Sequence, residues 1–178
     1  MEKDFPVLRT KRLLLRQFVD ADLMNVFKGL SNPEVIKFYG VSYRTLGETK
    51  AQIEFFAGLE KTKTGIWWAI CSAENKTFYG AAGINDIKHE HQKGQIGFWL
   101  LEEHWKKGIV TEALPVILQF AFETLQLHRI EAIIENENLA SKKIVEKLDF
   151  ACESVMKECE IKNGKFIDLC IYAKLNRK

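Results

Sequence analysis

Apolar positions recur with a helical period in five segments of this chain. Between 111 and 125 they fall on one helix face, at Leu114, Ile117, Leu118, Ala121, Phe122 and Leu125. Asp20 is expected to cap the first helix, Pro33 to begin the second, and Thr45 with Glu48 has the spacing of a capping box. The pattern predicts helices over 20–31, 33–38, 45–59, 111–125 and 138–148.

Apolar runs that are bounded by turn residues predict seven strands, over 8–18, 65–72, 77–88, 94–101, 129–135, 152–161 and 166–175. Asn163-Gly164 favours a hairpin between the last two, because both residues tolerate positive φ. The element order is therefore β-αα-βββ-α-β-α-ββ. A strand–helix–strand passage within an antiparallel run implies an α/β (α+β) fold, whose mixed, mostly antiparallel sheet is flanked by four to five helices.

The composition is that of an ordinary globular chain. Its 178 residues suit one domain with a real core, and a single domain is expected over 1–178. Hydrophobic residues make up 47% and charged residues 28%, which argues against disorder. The formal net charge of +2 is too small to attract nucleic acid, so nucleic acid is not an expected partner.

Two side-chain types that often bind metals give no metal pattern here. The four cysteines form no C-x-x-C pair and are expected to be small buried thiols in a reducing compartment: Cys71, Cys152, Cys159 and Cys170. His89-Glu90-His91 lies in a predicted turn without further obvious ligands. A solvated turn is therefore expected, and no metal site.

The chain shows no segment that would carry it to or through a membrane. Met1–Pro6 has no apolar stretch behind a basic one, as a signal peptide would. No apolar run approaches the roughly 20 residues that cross a bilayer. A cytoplasmic protein without a membrane partner is expected.

The most specific chemistry lies in 105–113, between a predicted strand and the helix after it. Amide groups without partners and the helix dipole favour an anion at a helix start. Gly108 lets the backbone approach that anion closely, Lys106 and Lys107 add positive charge, and Thr111 offers a hydroxyl. The pattern predicts a diphosphate site that is neither a P-loop nor a Rossmann turn, since both glycine motifs are missing.

Four segments together resemble the GNAT N-acetyltransferase superfamily, and within it the ribosomal-protein N-terminal acetyltransferase-like (RimJ/RimL-type) group. Residues 8–16 are similar to its opening strand, and residues 32–35 to the start of its second helix. Residues 105–113 are similar to its W-G-K-G-x-A-T-E-A loop, and residues 138–150 to its N-x-x-S…E-K-x-G-F segment. The match covers nearly the whole chain. The loop and the Asn/Ser segment, in this order and spacing, are its specific part.

The resemblance implies acetyl-CoA as the cosubstrate and assigns residues to it. The strand that ends at Trp99, Leu100 and Leu101 would hydrogen-bond the pantetheine arm. The pyrophosphate would lie on the amides of Lys106, Lys107, Gly108, Ile109, Val110 and Thr111. Asn138 would contact the pantetheine, and Ser141 would lie near the thioester sulfur.

The chain departs from the group's pattern at a few positions. Lys106 stands for a usual glycine, and Val110 for a usual glycine or alanine. Asp149 stands for a glycine after the last helix, and aspartate tolerates the left-handed conformation better than most residues. Pro115 removes the hydrogen bond to the Thr111 carbonyl, which predicts either a late helix start or a local kink.

Acetyl transfer to an amine requires a neutral amine, a stabilised oxyanion and a thiolate that can leave. By the resemblance, Glu160 is expected to be the general base and Ser141 to protonate the thiolate. A backbone amide near Leu100 would meet the oxyanion. Alternatively, Glu160 is only an exposed strand glutamate and Ser141 only caps its helix. Glu102 or Glu103 would then be the candidate general base. Asp168 is expected to orient the substrate or to act structurally.

The expected acceptor is a primary amine, first of all the N-terminal α-amine of a protein. An α-amine with a pKa of about 8 loses its proton at pH 7 for about 1.4 kcal/mol, whereas a lysine amine needs roughly 4.6 kcal/mol. A polyamine or aminoglycoside-like acceptor, a non-catalytic acetyl-CoA-binding module and a homodimer are left open. The candidate acceptor contacts are Phe38, Tyr39, Tyr43 and one of Trp67 and Trp68.

Overall fold

A computed structural model describes residues 5–177 and contains eight strands and five α-helices within them. Residues 1–4, which carry most of the segment examined for a signal peptide, lie outside this range. The strands are β1 Leu8–Arg9, β2 Leu13–Arg16, β3 Ile66–Ser72, β4 Phe78–Lys88, β5 Lys93–Leu100, β6 Arg129–Glu135, β7 Ala151–Lys162 and β8 Lys165–Leu175. The helices are α1 Leu23–Leu30, α2 Pro33–Ile36, α3 Leu46–Thr62, α4 Ile109–Glu123 and α5 Leu139–Lys147.

All eight strands form one mixed sheet in the order β1-β2-β3-β4-β5-β6-β8-β7. Only the β5–β6 pair is parallel among the described strands, which confirms a mixed and mostly antiparallel sheet. The predicted count of seven strands was wrong by one. The Thr10 hydroxyl accepts a hydrogen bond from Leu13 N at 3.0 Å, and this turn divides the expected first strand into β1 and β2.

The two faces of the sheet bury separate cores. One face packs on α4 and α5 and includes Trp68, and the other packs on α1 and α3 and includes Trp67. The two neighbouring tryptophans therefore point to opposite faces, as expected for consecutive strand residues. Among the described residues, no helix is long and apolar enough to cross a membrane.

Of three predictions about helix starts, the Thr45 cap was confirmed, the Asp20 cap was wrong and a late start of α4 was not found. Thr45 caps α3 as predicted and accepts a hydrogen bond from Glu48 N at 3.2 Å. Asp20 does not cap α1, because Asp20–Asp22 forms a 3-10 turn and the helix begins at Leu23. Pro115 lies inside α4, which begins at Ile109, so the helix does not start late.

The expectation that all four cysteines are buried was half wrong. Cys71 and Cys170 are buried, whereas Cys152 and Cys159 are exposed. The exposed pair lies on β7, which is the outer strand of the sheet and has exposed residues on both faces. A strand with only one neighbour and no helix over it cannot bury small thiols.

Candidate active site

The most distinctive feature of the sheet is a wedge-shaped gap between β5 and β6. These parallel strands pair only at their beginnings, where Lys93–Gln95 faces Arg129–Glu131. Among the described residues, the later part of β5 pairs with β4 alone, and the later part of β6 with β8 alone. Because parallel strands end at the same edge, the gap widens toward the carboxyl ends of both. Ligands commonly bind at that position in open sheets.

Main-chain groups line the β5 side of the wedge, since the Trp99, Leu100 and Leu101 side chains are buried. The Leu101 amide donates to Tyr79 O at 2.9 Å, which turns it toward β4. Because main-chain direction alternates along a strand, the amides of Phe98 and Leu100 point toward β6. Phe98, which sequence reasoning had missed, thus replaces Leu101 as a strand residue that can pair with a ligand.

The start of α4 forms the end wall of the wedge on the β5 side. Gly108 is the N-cap with φ 74°, and Lys106 also has a left-handed φ of 59°. Lys106 therefore occupies a conformation that favours glycine, the residue usual there in the resembling group. The side chains of Ile109 and Val110 are buried, so their β-branched bulk points into the core and away from the turn. What remains at the surface is a row of helix-start amides between two lysines and Thr111, a geometry suited to an anion.

A contact from the other end of the chain holds this loop. Arg12 donates from Nε to Glu112 Oε2 at 2.6 Å and from its terminal nitrogens to Lys107 O at 3.3 Å. Thr10 donates to the second oxygen of Glu112 at 2.5 Å. Burial opposes ionisation of Glu112, but these hydrogen bonds outweigh it and lower the pKa of the carboxyl. Both segments resemble the same family in sequence, but their contact is evident only in the structure.

Asn138 and Ser141 lie just beyond the carboxyl end of β6, on the other side of the wedge mouth. Asn138 N donates to Glu135 O at 2.8 Å, and Asn138 Oδ1 accepts from Ser141 N at 3.1 Å. Asn138, not Ser141, therefore caps α5. The Ser141 hydroxyl has no hydrogen bond to the described residues, which leaves it available to a ligand.

Glu160 is exposed on β7 and pairs with Ile167, near the turn of the β7–β8 hairpin. Lys162 lies two residues further and shares its strand face. Lys162 Nζ donates to Lys37 O at 2.6 Å and forms an ion pair with Glu135. The face that carries Glu160 is therefore the one turned toward α2 and the end of β6, where the wedge opens.

The alternative carboxylates are engaged elsewhere. Glu102 accepts from Asn32 Nδ2 at 2.9 Å, and Glu103 is paired with Lys28, so both fasten the loop after β5 to the first helices. The hydrogen bond from Lys28 lowers the pKa of Glu103. Asp168 accepts from Lys157 Nζ at 2.7 Å and from Glu158 N at 2.9 Å, and the Lys157 hydrogen bond lowers the pKa of that carboxyl.

The histidines of the predicted turn lie far from the wedge mouth. His89 and His91 form a 3-10 turn between β4 and β5, at the end of β5 opposite to its carboxyl end. His89 Nε2 is 2.8 Å from Lys63 O. No group of three or more side chains able to hold a metal occurs within residues 5–177.

A cleft of about 370 Å³ opens on the sheet face opposite to α4. Its lining residues come from the α2–α3 region and from three strands, and they are Tyr39, Val41, Tyr43, Gln52, Phe55, Trp67, Asn85 and Gly97. Of the expected acceptor contacts, Tyr39, Tyr43 and Trp67 line it. Phe38 does not, and instead lies beneath the ammonium groups of Lys37 and Lys162 at 5.4 and 5.9 Å from its ring centre.

Comparisons with known proteins agree on one family. Residues 12–151 match the sequence profile of the acetyltransferase (GNAT) domain. The N-acetyltransferase YoaA of Bacillus subtilis is 32% identical over 170 residues, which cover 95% of this chain and 96% of that protein.

Two solved structures share the fold. A ribosomal-protein α-N-acetyltransferase, RimL, in complex with coenzyme A has a TM-score of 0.86 at 20% identity, with coverage of 96% of this chain and 98% of that one. A spermidine N-acetyltransferase from Vibrio cholerae, in complex with coenzyme A and spermine, has a TM-score of 0.82 at 20% identity, with coverage of 93% and 96%.

Proposed function

This chain belongs to the GNAT family of acetyltransferases, and from that premise we propose that it acetylates the N-terminal α-amine of a protein. It is an acetyl-CoA-dependent N-acetyltransferase. The observation that carries the proposal is the wedge between β5 and β6, with a helix-start anion site at its mouth. We infer that residues 1–178 act as one catalytic domain.

The wedge suits the shape and chemistry of acetyl-CoA. The amides from Lys106 to Thr111 would hold the pyrophosphate, and the two lysines add positive charge. The main chain of β5 at Phe98 and Leu100 would pair with the pantetheine amides as a further strand. Asn138 would contact the same arm from the β6 side of the gap. The acetyl group would then lie further into the wedge than the pyrophosphate, where the amide of Leu100, or that of Phe98 further in along β5, can stabilise negative charge on the acetyl oxygen.

Glu160 is the proposed general base. It is exposed and on the strand face turned toward the wedge mouth, and it has no ion pair among the described residues. Glu103 is less suitable, because a lowered pKa makes a carboxylate a weaker base. An α-amine requires only about 1.4 kcal/mol for deprotonation at pH 7, so a carboxylate acting directly or through water is sufficient.

Ser141 is the proposed proton donor to the leaving thiolate. It lies in the first turn of α5, near Asn138 and the end of β6, and its hydroxyl is not used for capping. A hydroxyl at this place can give a proton as the carbon–sulfur bond breaks.

A thiol-release assay with acetyl-CoA and a set of amines tests the acceptor. We expect turnover with short peptides that have a free N-terminus. A second set of these peptides has a formylated N-terminus and an internal lysine, so that the lysine side chain carries the free amine. This set should not react if the enzyme acetylates α-amines and not lysine amines. Turnover of spermidine or an aminoglycoside in the absence of peptide turnover would overturn the protein N-terminus as acceptor. Tight acetyl-CoA binding without turnover of any amine would contradict the proposed catalysis.

A further inference from the structure

The 370 Å³ cleft, hereafter the acceptor cleft, is lined by eight residues that carry no acidic or basic side chain. We propose that it holds the residue that carries the reacting amine, and that it takes residues without a second charge. This inference rests on the proposed function, because it assigns the amine side of the same reaction. It adds a substrate class that the family alone does not define.

The acceptor cleft and the wedge share strand β5, and Gly97 is the β5 residue that lines the cleft. This residue lies on β5 beyond Gln95, in the part of the strand that has no β6 partner among the described residues. A Cβ at Gly97 would come within 2.9 Å of the Trp67 ring. Glycine at this position therefore lets the indole lie against β5 and form the floor of the cleft. An amine above this floor approaches the wedge from the face opposite to α4.

The lining of the acceptor cleft is uncharged but contains hydrogen-bond donors. None of the eight lining residues is acidic or basic, and four of them are aromatic. Gln52 is only 3% exposed, and its Oε1 accepts from the Tyr43 hydroxyl at 3.1 Å, which leaves its amide nitrogen as a donor. Trp67 is 6% exposed, and its indole nitrogen has no partner among the described residues. Neutral donors beside aromatic walls fit a peptide carbonyl or a hydroxyl.

A second charge on the acceptor would be poorly solvated in the acceptor cleft. A charged group that leaves water for an uncharged wall loses hydration that no ion pair replaces. The lining itself shows this effect, because burial raises the pKa of Tyr39 well above its ordinary value. A carboxylate is therefore disfavoured as well as an additional ammonium.

Two ammonium groups lie beside the chain segment that enters the acceptor cleft at Tyr39. Lys37 and Lys162 both place an ammonium over Phe38, the residue before Tyr39. Lys162 is partly neutralised by Glu135, whereas Lys37 has no ion pair among the described residues. A polycation such as spermidine would meet the uncharged wall of the cleft and the two ammonium groups over Phe38. Both features oppose it.

The test compares peptides that differ only in their first residue. With acetyl-CoA saturating, serine, asparagine, aspartate and lysine are placed first in one peptide, and spermidine is assayed beside them. We expect kcat/KM to be at least about tenfold lower for aspartate, for lysine and for spermidine than for serine or asparagine, a difference of about 1.4 kcal/mol. The KM for acetyl-CoA should be the same with every peptide.

A charge placed on the rim provides the matched experiment. Val41 lines the acceptor cleft and is 40% exposed, so Val41→Asp should fold. We expect it to raise kcat/KM for the lysine peptide and spermidine about tenfold and to lower it for the aspartate peptide. Met24→Asp, at a 60% exposed position on α1 outside the cleft, should change neither. Phe55→Glu is the second cleft variant if Val41→Asp proves unstable.

Equal rates for all first residues, with peptides still acetylated, would overturn the acceptor cleft and leave the proposed function intact. Unchanged selectivity in a folded cleft variant would overturn it too. Failure of every peptide, despite acetyl-CoA binding, would instead remove the proposed function.

Discussion

Arg12 and Glu112 lie 100 residues apart in the sequence, and Arg12 Nε donates a hydrogen bond to Glu112 Oε2 at 2.6 Å. The same guanidinium donates to Lys107 O in the loop before α4. The turn between β1 and β2 is thereby fastened to the loop proposed to hold the pyrophosphate. Lys106 and Gly108, on either side of Lys107 in that loop, have left-handed backbones. The hydrogen bonds from Arg12 therefore help to hold the loop in this conformation.

Glu112→Gln is expected to loosen that fastening. The amide weakens the charged hydrogen bonds to Arg12 and Thr10, which should cost about 1–2 kcal/mol of unfolding free energy. The KM for acetyl-CoA should rise about fivefold, with kcat nearly unchanged. Glu123→Gln, at the exposed end of the same helix, is the control. An unchanged KM in a destabilised Glu112→Gln protein would assign the contact to stability alone.

The same pair predicts a pH dependence of stability. The pKa of Glu112 is lower in the folded protein than in the unfolded chain, so its stabilisation is present above the ordinary glutamate pKa. It is lost as the pH falls through the folded value. Urea denaturation should therefore show a difference between wild type and Glu112→Gln at pH 7 that shrinks below about pH 4. A constant difference would contradict the ionic origin of the contact.

Gly108→Glu is expected to abolish acetyl-CoA binding. The substitution puts a side chain at φ 74° and a negative charge where the pyrophosphate is proposed to lie. Calorimetry should show at least about a hundredfold loss of affinity. Gly58→Glu, in α3 with open space around its Cα, is the matched control and should bind normally. Unchanged affinity in Gly108→Glu would refute the phosphate site.

Glu160→Gln is expected to lower kcat more than it raises the KM for acetyl-CoA. Loss of a general base typically costs about a hundredfold or more in rate. The remaining activity should rise with pH, because free amine becomes more abundant. Glu74→Gln, in the exposed turn between β3 and β4, is the control. A wild-type rate across the pH range would remove Glu160 from the mechanism.

Asp149→Gly is expected to stabilise the protein by about 0.5–1 kcal/mol. Asp149 follows α5 with φ 61°, a conformation that costs other residues more than glycine. The exposed contact from Lys174 at 3.3 Å is a small loss. Asp149→Ala should instead destabilise, because alanine lacks that freedom. Equal denaturation midpoints for the two variants would contradict a backbone origin.

Local patterns predicted most of the fold. The helix periods, the Thr45 cap, the opposite faces of Trp67 and Trp68 and the Asn163-Gly164 hairpin were all confirmed, since each depends on residues close in the sequence. The first strand was mispredicted because a threonine turn interrupts an apolar run without glycine or proline. The exposure of β7 could not be predicted either, since its place at the sheet edge depends on the order in which distant strands pair.

Within the candidate site, too, features formed by neighbouring residues could be predicted from the sequence, whereas contacts between distant segments could not. The helix start after Lys106-Lys107-Gly108 was evident from spacing, and the contact of Asn138 with the pantetheine, which followed from the family resemblance, stays a prediction. The Arg12–Glu112 contact and the direction of the Phe98 amide required the structure. The first joins segments at opposite ends of the domain, and the second depends on which main-chain amides alternate toward the gap.

Because β5 and β6 pair over only three residues each, a small change in the angle between the two strands moves their unpaired ends by a large distance. From Gln95 to Leu100 the strand runs five residues, about 17 Å at the usual rise. A rotation of about ten degrees at the ladder would therefore move the mouth by about 3 Å. At the paired end, Lys93 of β5 lies 3.7 Å from Glu131 of β6, and Arg129 holds Glu131 in turn through a hydrogen bond of 2.7 Å. The width of the wedge mouth is thus set by the angle between β5 and β6 at charged residues remote from the proposed entry of acetyl-CoA.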